Sequence, residues 1–488
     1  MTFINRHLVV SIFFASIFIF NPHICSAENE SLLEQLVERL EKLEKENAQL
    51  KEVVNRLIKS QDSDLSDKHE RKQKSKHFKL QTNSQYSFEM LDHTKSVNQK
   101  QKKILEYKQS GRIDNGVIIG GSVTPIIDYQ KSNTDSKFGY LMRHPTSANQ
   151  LGKNVSEAVI HSAELNFTAN LSNWLTAYTE FLYDPEQSFG QGTITSLGRN
   201  QIQLRKGYLL YGDLEKSPFY AAVGKMAVAF GLNDTVSPFT SSTVWHAFGG
   251  LAYSALMGYS YKGWNISLDA IQGGAQFRAA NVPVQGTSTP SRLNNVAVDI
   301  NYTKSFNSKD EMLVGASFIK GSAYCQNFPV VHFENCSDHN PAYSLYARLD
   351  KGKLLYQLEY AETLNEWPGT FNPNPPLNRF IASKVTSMQA GLIRQMDWNS
   401  KKVDMSLEFS RFKSGPSSSP WEKQDQWVFG LSHHLTDSVK LFGELIRVTG
   451  FAPLNFISGG HIPNQPNVTH SDRDAQSTVL LLGADAAF

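Results

Sequence analysis

No run of about eighteen consecutive apolar residues occurs anywhere in the chain, so no membrane-spanning helix can be read from it. The nearest approach is residues 8–20, apolar apart from Ser11 and Ser16, which is too short to span and sits at the N-terminus. An excess of one charge is missing too. Lys and Arg number 48 against 46 Asp and Glu, a net +2, which gives no electrostatic footing for nucleic acid. Cysteine is scarce, at three residues. No Gly-x-Ser-x-Gly elbow is present, so a hydrolase of that kind is not expected. His433 and His434 are neighbours that a strand would point to opposite faces, and no other histidines have metal-ligand spacing. No enzyme activity, metal or cofactor is expected from these absences.

What is present begins with an export signal. Arg6 and His7 precede the apolar stretch, Asn21-Pro22 breaks it, and Cys25-Ser26-Ala27 offers a small-residue cleavage site before Glu28. Residues 1–27 therefore read as a secretory signal peptide. His23-Ile24 before Cys25 argues against a lipoprotein signal. In an exported chain the two remaining cysteines, Cys325 and Cys336, are expected to form a disulfide; two free thiols are the alternative.

The chain's end is as informative as its start. Counted back in twos, Phe488, Ala486, Ala484, Leu482 and Leu480 make an apolar face that ends on an aromatic residue at the C-terminus itself. Termini ordinarily fray. A chain ending inside an amphipathic strand fits the last strand of an outer-membrane barrel. Its polar average hydropathy fits as well, because a barrel strand puts only alternate residues into lipid.

Between these ends three regions follow one another. Residues 28–60 carry Leu33, Leu36, Leu40, Leu43, Asn47, Leu50, Val54 and Leu57 at alternating spacings of three and four. That is the seam of a coiled coil, with Asn47 a register-setting polar position, and it predicts self-association; a single amphipathic helix on another surface is the alternative. Residues 61–115 are polar and basic, without clear period, and predict a flexible periplasmic linker. From 116 on, strand-like runs alternate with turn clusters. Candidate strands lie at 116–129, 158–171, 174–183, 201–211, 219–230, 253–261, 264–272, 295–303, 312–320, 342–349, 353–361, 384–395, 403–412, 426–434, 438–448 and 478–488.

These sixteen strands predict an all-β fold, an antiparallel transmembrane barrel over 116–488. The connections test that count. Those after even strands are short, such as Ser172-Asn173, Lys262-Gly263 and Asp350-Lys351-Gly352; those after odd strands are long. Short periplasmic turns alternating with long extracellular loops are the pattern of outer-membrane barrels. Both chain ends, and the coil, would then be periplasmic.

The block 163–274 contains AELNFTANLSNWLTAYTEFLYD, then KGYLLYGDLEKSPFYAAVGKMAVAFG, then SALMGYSYKGWNISLDAIQGG. It resembles the LbtU-type siderophore porins of intracellular Gammaproteobacteria, chiefly at Gly212-Asp213-Leu214-Glu215-Lys216-Ser217-Pro218 and Gly224-Lys225-Met226-Ala227-Val228-Ala229-Phe230-Gly231. Lys225 stands where that family's pattern has Arg. The resemblance implies passage of a ferric siderophore across the outer membrane.

A barrel of this size is wide enough for an aqueous lumen. Residues 61–115 hold too little core-forming sequence for a globular plug, so a loop-constricted pore without a plug domain is expected. By alternation the lumen should be lined by Glu164, Glu180, Arg205, Asp269, Asp299, Arg348, Gln357, Glu359, Asp404, Glu408, Lys440 and Glu444. Arg205 and Arg348 suit bidentate recognition of carboxylates, although lumen charges can equally pair with one another. In the third long loop, Trp245 and His246 are candidates to narrow the pore, or belong to an ordinary surface loop. Three functions remain open: a siderophore-selective porin, a general or nutrient-selective porin, and a tether between outer membrane and cell wall built on the coil and basic linker.

Overall fold

The structure, a computed structural model, describes residues 45, 79–113, 116–135, 152–184, 201–272, 293–325, 339–398, 401–452, 469 and 471–488. The expected signal peptide, the coil apart from Lys45, Cys336 and the first part of the expected linker lie outside the described residues.

From Gly116 onward the alternating residues form sixteen strands, each overlapping one expected from the sequence. They are β2 (Gly116–Ser132), β3 (Asn154–Asn170), β4 (Leu175–Asp184), β5 (Gln201–Gly212), β6 (Phe219–Ala227), β7 (Leu251–Tyr261), β8 (Trp264–Gln272), β9 (Leu293–Ser305), β10 (Asp310–Ile319), β11 (Ala342–Lys351), β12 (Leu354–Thr363), β13 (Thr386–Trp398), β14 (Lys401–Lys413), β15 (Lys423–Thr436), β16 (Val439–Phe451) and β17 (Asp472–Ala487). Each pairs antiparallel with its neighbours, and β17 closes on β2 from Ser477↔Ser132 to Ala487↔Ser122. Closure leaves no barrel edge unpaired, which lipid demands. The Lys262-Gly263 turn has both φ values positive, the two-residue connection that matches strand twist.

The terminal Phe488 completes the seam. Its N–H donates to the Gly121 carbonyl at 3.0 Å and its carbonyl accepts from the Gly121 N–H at 3.2 Å. Its ring lies over Gly121, half exposed on the lipid side; a Cβ there would fall 2.4 Å from the ring.

Two bulges break the alternation usefully. At His161, β3 carries one residue more than β2, so His161 and Ser162 both turn inward and Ile160 faces out. Counting in twos from Ala163 would put Val159 on the lipid face; with the bulge it packs inside, against a cluster of Ile126, Phe239, Phe442 and Val479. At Arg205, β5 carries the extra residue opposite Glu180 and Phe181, and both Arg205 and Lys206 turn inward.

The largest departure from expectation lies before the barrel. Residues 79–113 are not a structureless linker. They form β1 (Lys79–Thr82), α1 (Ser84–Leu91) and α2 (Lys100–Gln109). They belong to the same compact unit as the barrel, Lys76–Phe488. β1 pairs parallel with the first residues of β2, from Lys79↔Gly116 to Thr82↔Ile119. α1 starts at Asn83, whose side chain accepts the Tyr86 N–H at 3.0 Å. The helices then enter the lumen at the short-turn end. There Tyr86, Met90, Ile104, Leu105, Tyr107 and Ile113 share one buried cluster with the wall residues Tyr178, Tyr208, Leu210, Tyr220 and Leu256. The physical reason the segment looked linker-like is that its few apolar residues make no core alone; the barrel wall supplies the other half.

Inside the barrel, large rings cover glycines directly across the ladder. Tyr220 opposes Gly258, Tyr346 opposes Gly315 and Phe442 opposes Gly483. A Cβ at Gly258 would lie 2.0 Å from the Tyr220 ring. Gly258→Ala should therefore cost about 1–3 kcal/mol by overpacking, read as a lower urea midpoint of the barrel in detergent. Unchanged stability would mean that the ring is not held on the glycine.

Candidate functional site

The lumen is built by what points into it. The third long connection, 228–250, does not stand out from the barrel. It turns inward after β6 and follows the inner wall, and nearly all of it is buried. The turns in this stretch leave backbone N–H groups without ladder partners, and the wall supplies acceptors for them. Ala229 N–H donates to Asp269 on β8 at 3.4 Å, and Gly231 N–H to Ser317 on β10 at 2.9 Å. Leu232 and Asn233 N–H donate to the two oxygens of Glu359 on β12, each at 2.9 Å. Val236 N–H donates to Glu408 on β14 at 2.9 Å, with the Thr235 hydroxyl on the same oxygen. Phe239 and Thr240 N–H donate to Glu444 on β16 at 2.8 and 3.0 Å. Every second strand from β8 to β16 thus contributes at least one acceptor to the same loop, which lies on the wall as a belt.

The belt returns through α3 (Thr243–Phe248). The Ser242 hydroxyl caps it by accepting the Trp245 N–H at 3.2 Å, and Thr243 N–H donates to Ser410 at 3.1 Å. Trp245 and His246 meet edge-to-face at 4.9 Å and are both buried. At the long-loop end, Trp367, Phe380, Phe412 and Trp421 pack over the belt, and the Tyr324 hydroxyl donates to Ala247 O at 2.7 Å. The inward covering by Trp367 and Trp421 had no signal in the strand pattern.

The opposite wall carries the cations. Arg205 meets Glu164 at 2.5 Å and Glu180 at 3.5 Å, while Lys206 meets Glu180 at 3.0 Å. The Tyr178 hydroxyl also donates to Glu180, at 2.8 Å. Lys206 was missed because alternation assigns Arg205 and Lys206 to opposite faces; only the bulge brings both inside. On the lipid side Lys225 donates to the Leu204 carbonyl at 2.9 Å. The β5–β6 pairing begins at Gly207↔Lys225, so this ammonium serves a carbonyl beyond the end of that ladder.

The remaining candidates scatter. Arg348 bonds Asp350 at 2.9 Å and reaches Asp234 of the belt at 3.9 Å. Lys440 lies beside Asp92 at the short-turn end. Burial alone would raise the Asp92 carboxyl, but Lys440, Lys95 and Lys100 around it hold it well below the usual carboxylate range. Lys100 is buried in the inner segment. Burial, helped by the nearby Lys206 charge, pushes its amine down to about 8. Cys325 is disulfide-bonded, and its expected partner Cys336 lies outside the described residues. Among the described residues no group of His, Cys, Asp and Glu could hold a metal ion.

With this geometry described, comparison with known proteins adds the following. No protein-family model matches the chain. A UPF0422 protein of Coxiella burnetii is 24% identical over 209 residues, 42% of this chain and 42% of that protein, so the match spans under half of that relative's length. Among solved structures, the anion-selective porin from Comamonas acidovorans is 13% identical, covering 76% of this chain and 99% of its own, with a TM-score of 0.45. Pseudomonas putida OprB is 9% identical, covering 76% and 94%, with a TM-score of 0.47. Salmonella typhi OmpF in complex with daunomycin is 11% identical, covering 77% and 98%, with a TM-score of 0.45. At such values these are likenesses of fold and carry no further weight. The closed barrel with its apolar outer face and polar lumen makes this chain an outer-membrane β-barrel of porin architecture.

The carboxylate grip on the belt is testable. Removing Glu408 leaves the Val236 N–H buried without that acceptor and the Thr235 hydroxyl with only the Thr240 carbonyl at 3.5 Å, a cost of about 1–3 kcal/mol. In a Ser237→Cys background, Glu408→Ala should speed labelling of residue 237 by a membrane-impermeant maleimide roughly tenfold. Equal labelling rates with and without Glu408 would show that the belt is held by other contacts.

Proposed function

We propose that this chain is an outer-membrane channel for a small solute, and that the solute is a ferric siderophore. The observation that carries the channel reading is the polar, charged lumen of a closed sixteen-stranded barrel, narrowed by an inward third connection. A barrel serving only as an anchor has no need of Glu164, Glu180, Arg205 and Lys206 gathered on one inner wall.

The siderophore reading is supported by the likeness of 163–274 to LbtU-type siderophore porins. That block holds the belt's approach, the Arg205 bulge and Lys225. Arg205, Lys206 and, nearer the short-turn end, Arg348 would meet a carboxylate-bearing ligand, with Arg205 and Arg348 able to bind bidentately. Trp245 and His246 act by stiffening the belt from a buried position. We place the short turns and the inner segment on the periplasmic side, with the coil of residues 28–60 associating there. The same lumen would serve a general or nutrient-selective porin; a tether role rests on the coil and the basic residues before the barrel.

In planar bilayers the purified protein should show discrete channel openings, and a ferric siderophore should block them at micromolar concentration while metal-free siderophore blocks at least tenfold more weakly. A deletion strain should lose ferric-siderophore uptake under iron limitation. Unchanged iron uptake together with reduced flux of small sugars or amino acids would replace the siderophore reading by the general porin.

A further inference from the structure

The inner wall of β2–β6 and the underside of the belt form one interaction surface, and its occupant is the chain's own segment 79–113. We infer that this segment is a releasable plug: the channel opens when it withdraws toward the short-turn end, while the belt stays on the wall. The inference rests on the channel reading above.

The two occupants of the lumen are attached differently. The belt's N–H groups are held by the buried carboxyl groups of Asp269, Glu359, Glu408 and Glu444 on alternate strands. Removing the belt would break all of those bonds together. The inner segment's hydrogen bonds to the wall are of another kind, between neutral groups or from an ammonium to neutral acceptors, while its Asp92 lies beside Lys440 of β16. Tyr86 meets the Thr168 hydroxyl at 2.6 Å, Ser84 meets Ser438 at 2.8 Å, and Lys108 donates to Thr176 at 3.0 Å and Ser172 O at 3.3 Å. The Ser87 hydroxyl donates to the Phe488 carbonyl. Water can replace each of these partners when the segment leaves.

The segment's own charges are satisfied largely within itself. The Lys100 ammonium donates to the carbonyls of Glu89, Asp92 and Lys95; Lys103 pairs with Glu89 at 3.5 Å and Lys102 with Glu106 at 2.7 Å. Its contacts with the belt are mostly between neutral groups, Asp234 being a carboxylate. Thr235 N–H donates to Thr94 O at 2.8 Å, Val97 N–H to Asp234 at 2.9 Å, and the Asn98 amide to Phe230 O at 2.7 Å and Gly231 O at 2.9 Å.

Composition points the same way. Residues 79–113 hold seven Lys and Arg and three Asp and Glu, so the segment is soluble once released. Its helices, of eight and ten residues, are too short to persist alone, so it leaves as an extended chain that can pass the rim. Its strand tether, β1, is four residues long and pairs at the very start of β2, where it can peel without opening the β2–β17 seam.

The test is to lock the segment. Ser84 and Ser438 are close enough for a disulfide, and Cys325 is already disulfide-bonded, so S84C/S438C should cross-link internally. In planar bilayers the oxidised variant should open at least tenfold less often than wild type, and reductant should restore it, with wild type plus reductant as the control. The complementary variant Ile104→Asp/Leu105→Asp weakens the plug without touching the barrel and should raise open probability above wild type and expose 79–113 to protease.

A cross-linked protein, verified by mass spectrometry, that conducts like wild type overturns the inference and leaves the channel reading intact. So does a pair that resists oxidation, since the two residues would then not be adjacent. A silent wild type beside a conducting Ile104→Asp/Leu105→Asp supports the plug. Silence in every variant, reduced or oxidised, fails the channel reading and the inference with it.

Discussion

One constraint governs this molecule: a backbone N–H or C=O that leaves water must find a partner inside the protein. In the wall the constraint is met by ladders that run from strand to strand until β17 returns to β2. Phe488 belongs to this account because its N–H and carbonyl both bond Gly121, carrying the seam to the last residue of the chain. The same constraint then decides what the lumen can contain. A loop drawn inside cannot remain irregular and dry unless the wall answers its donors. Asp269, Ser317, Glu359, Glu408 and Glu444 do so on alternate strands. Charged side chains that resemble a selectivity lining are thus, for one face of the lumen, backbone acceptors.

Where the wall is not occupied by the belt, its charges pair. Glu164, Glu180, Arg205 and Lys206 form a compact network because the bulge in β5 turns two consecutive cations inward. The bulge at His161 does the same in β3 and brings its imidazole within 4.6 Å of the Phe239 ring of the belt. These two irregularities therefore re-aim side chains, one at the belt and one at the cation cluster.

The sixteen strands were legible because lipid on one side and polar lumen on the other impose an alternation that the residues must show, as Val296, Val298 and Ile300 do against Asn295, Asp299 and Asn301. The inward direction of Glu164, Glu180, Arg205, Glu359 and Glu408 was legible for the same reason. Their partners were not, since Glu359 meets Asn233 across 126 positions of chain and nothing local announces that. Counting in twos misses Lys206 and would put Val159 on the wrong face, because a bulge inserts one residue without any composition signal. For Trp245 and His246 the residues leave open an inward loop or an ordinary surface one, since their burial depends on Tyr324, Trp367 and Trp421 from other connections.

The inner segment shows why composition and foldedness are separate questions. Mean polarity measures whether a stretch can bury enough apolar surface by itself. Residues 79–113 cannot, and no reading of that stretch alone would place them in a core. The barrel changes the sum: Tyr178, Tyr208, Leu210 and Tyr220 present an apolar wall that is already ordered, so Tyr86, Met90, Ile104 and Leu105 need only complete it. A segment stabilised in this way owes its fold to its host and loses that fold on leaving. That dependence distinguishes it from the belt, whose backbone N–H groups bond carboxyl groups of the wall on alternate strands. The lumen therefore contains one occupant fastened to the wall through its backbone and one held against it chiefly by apolar packing.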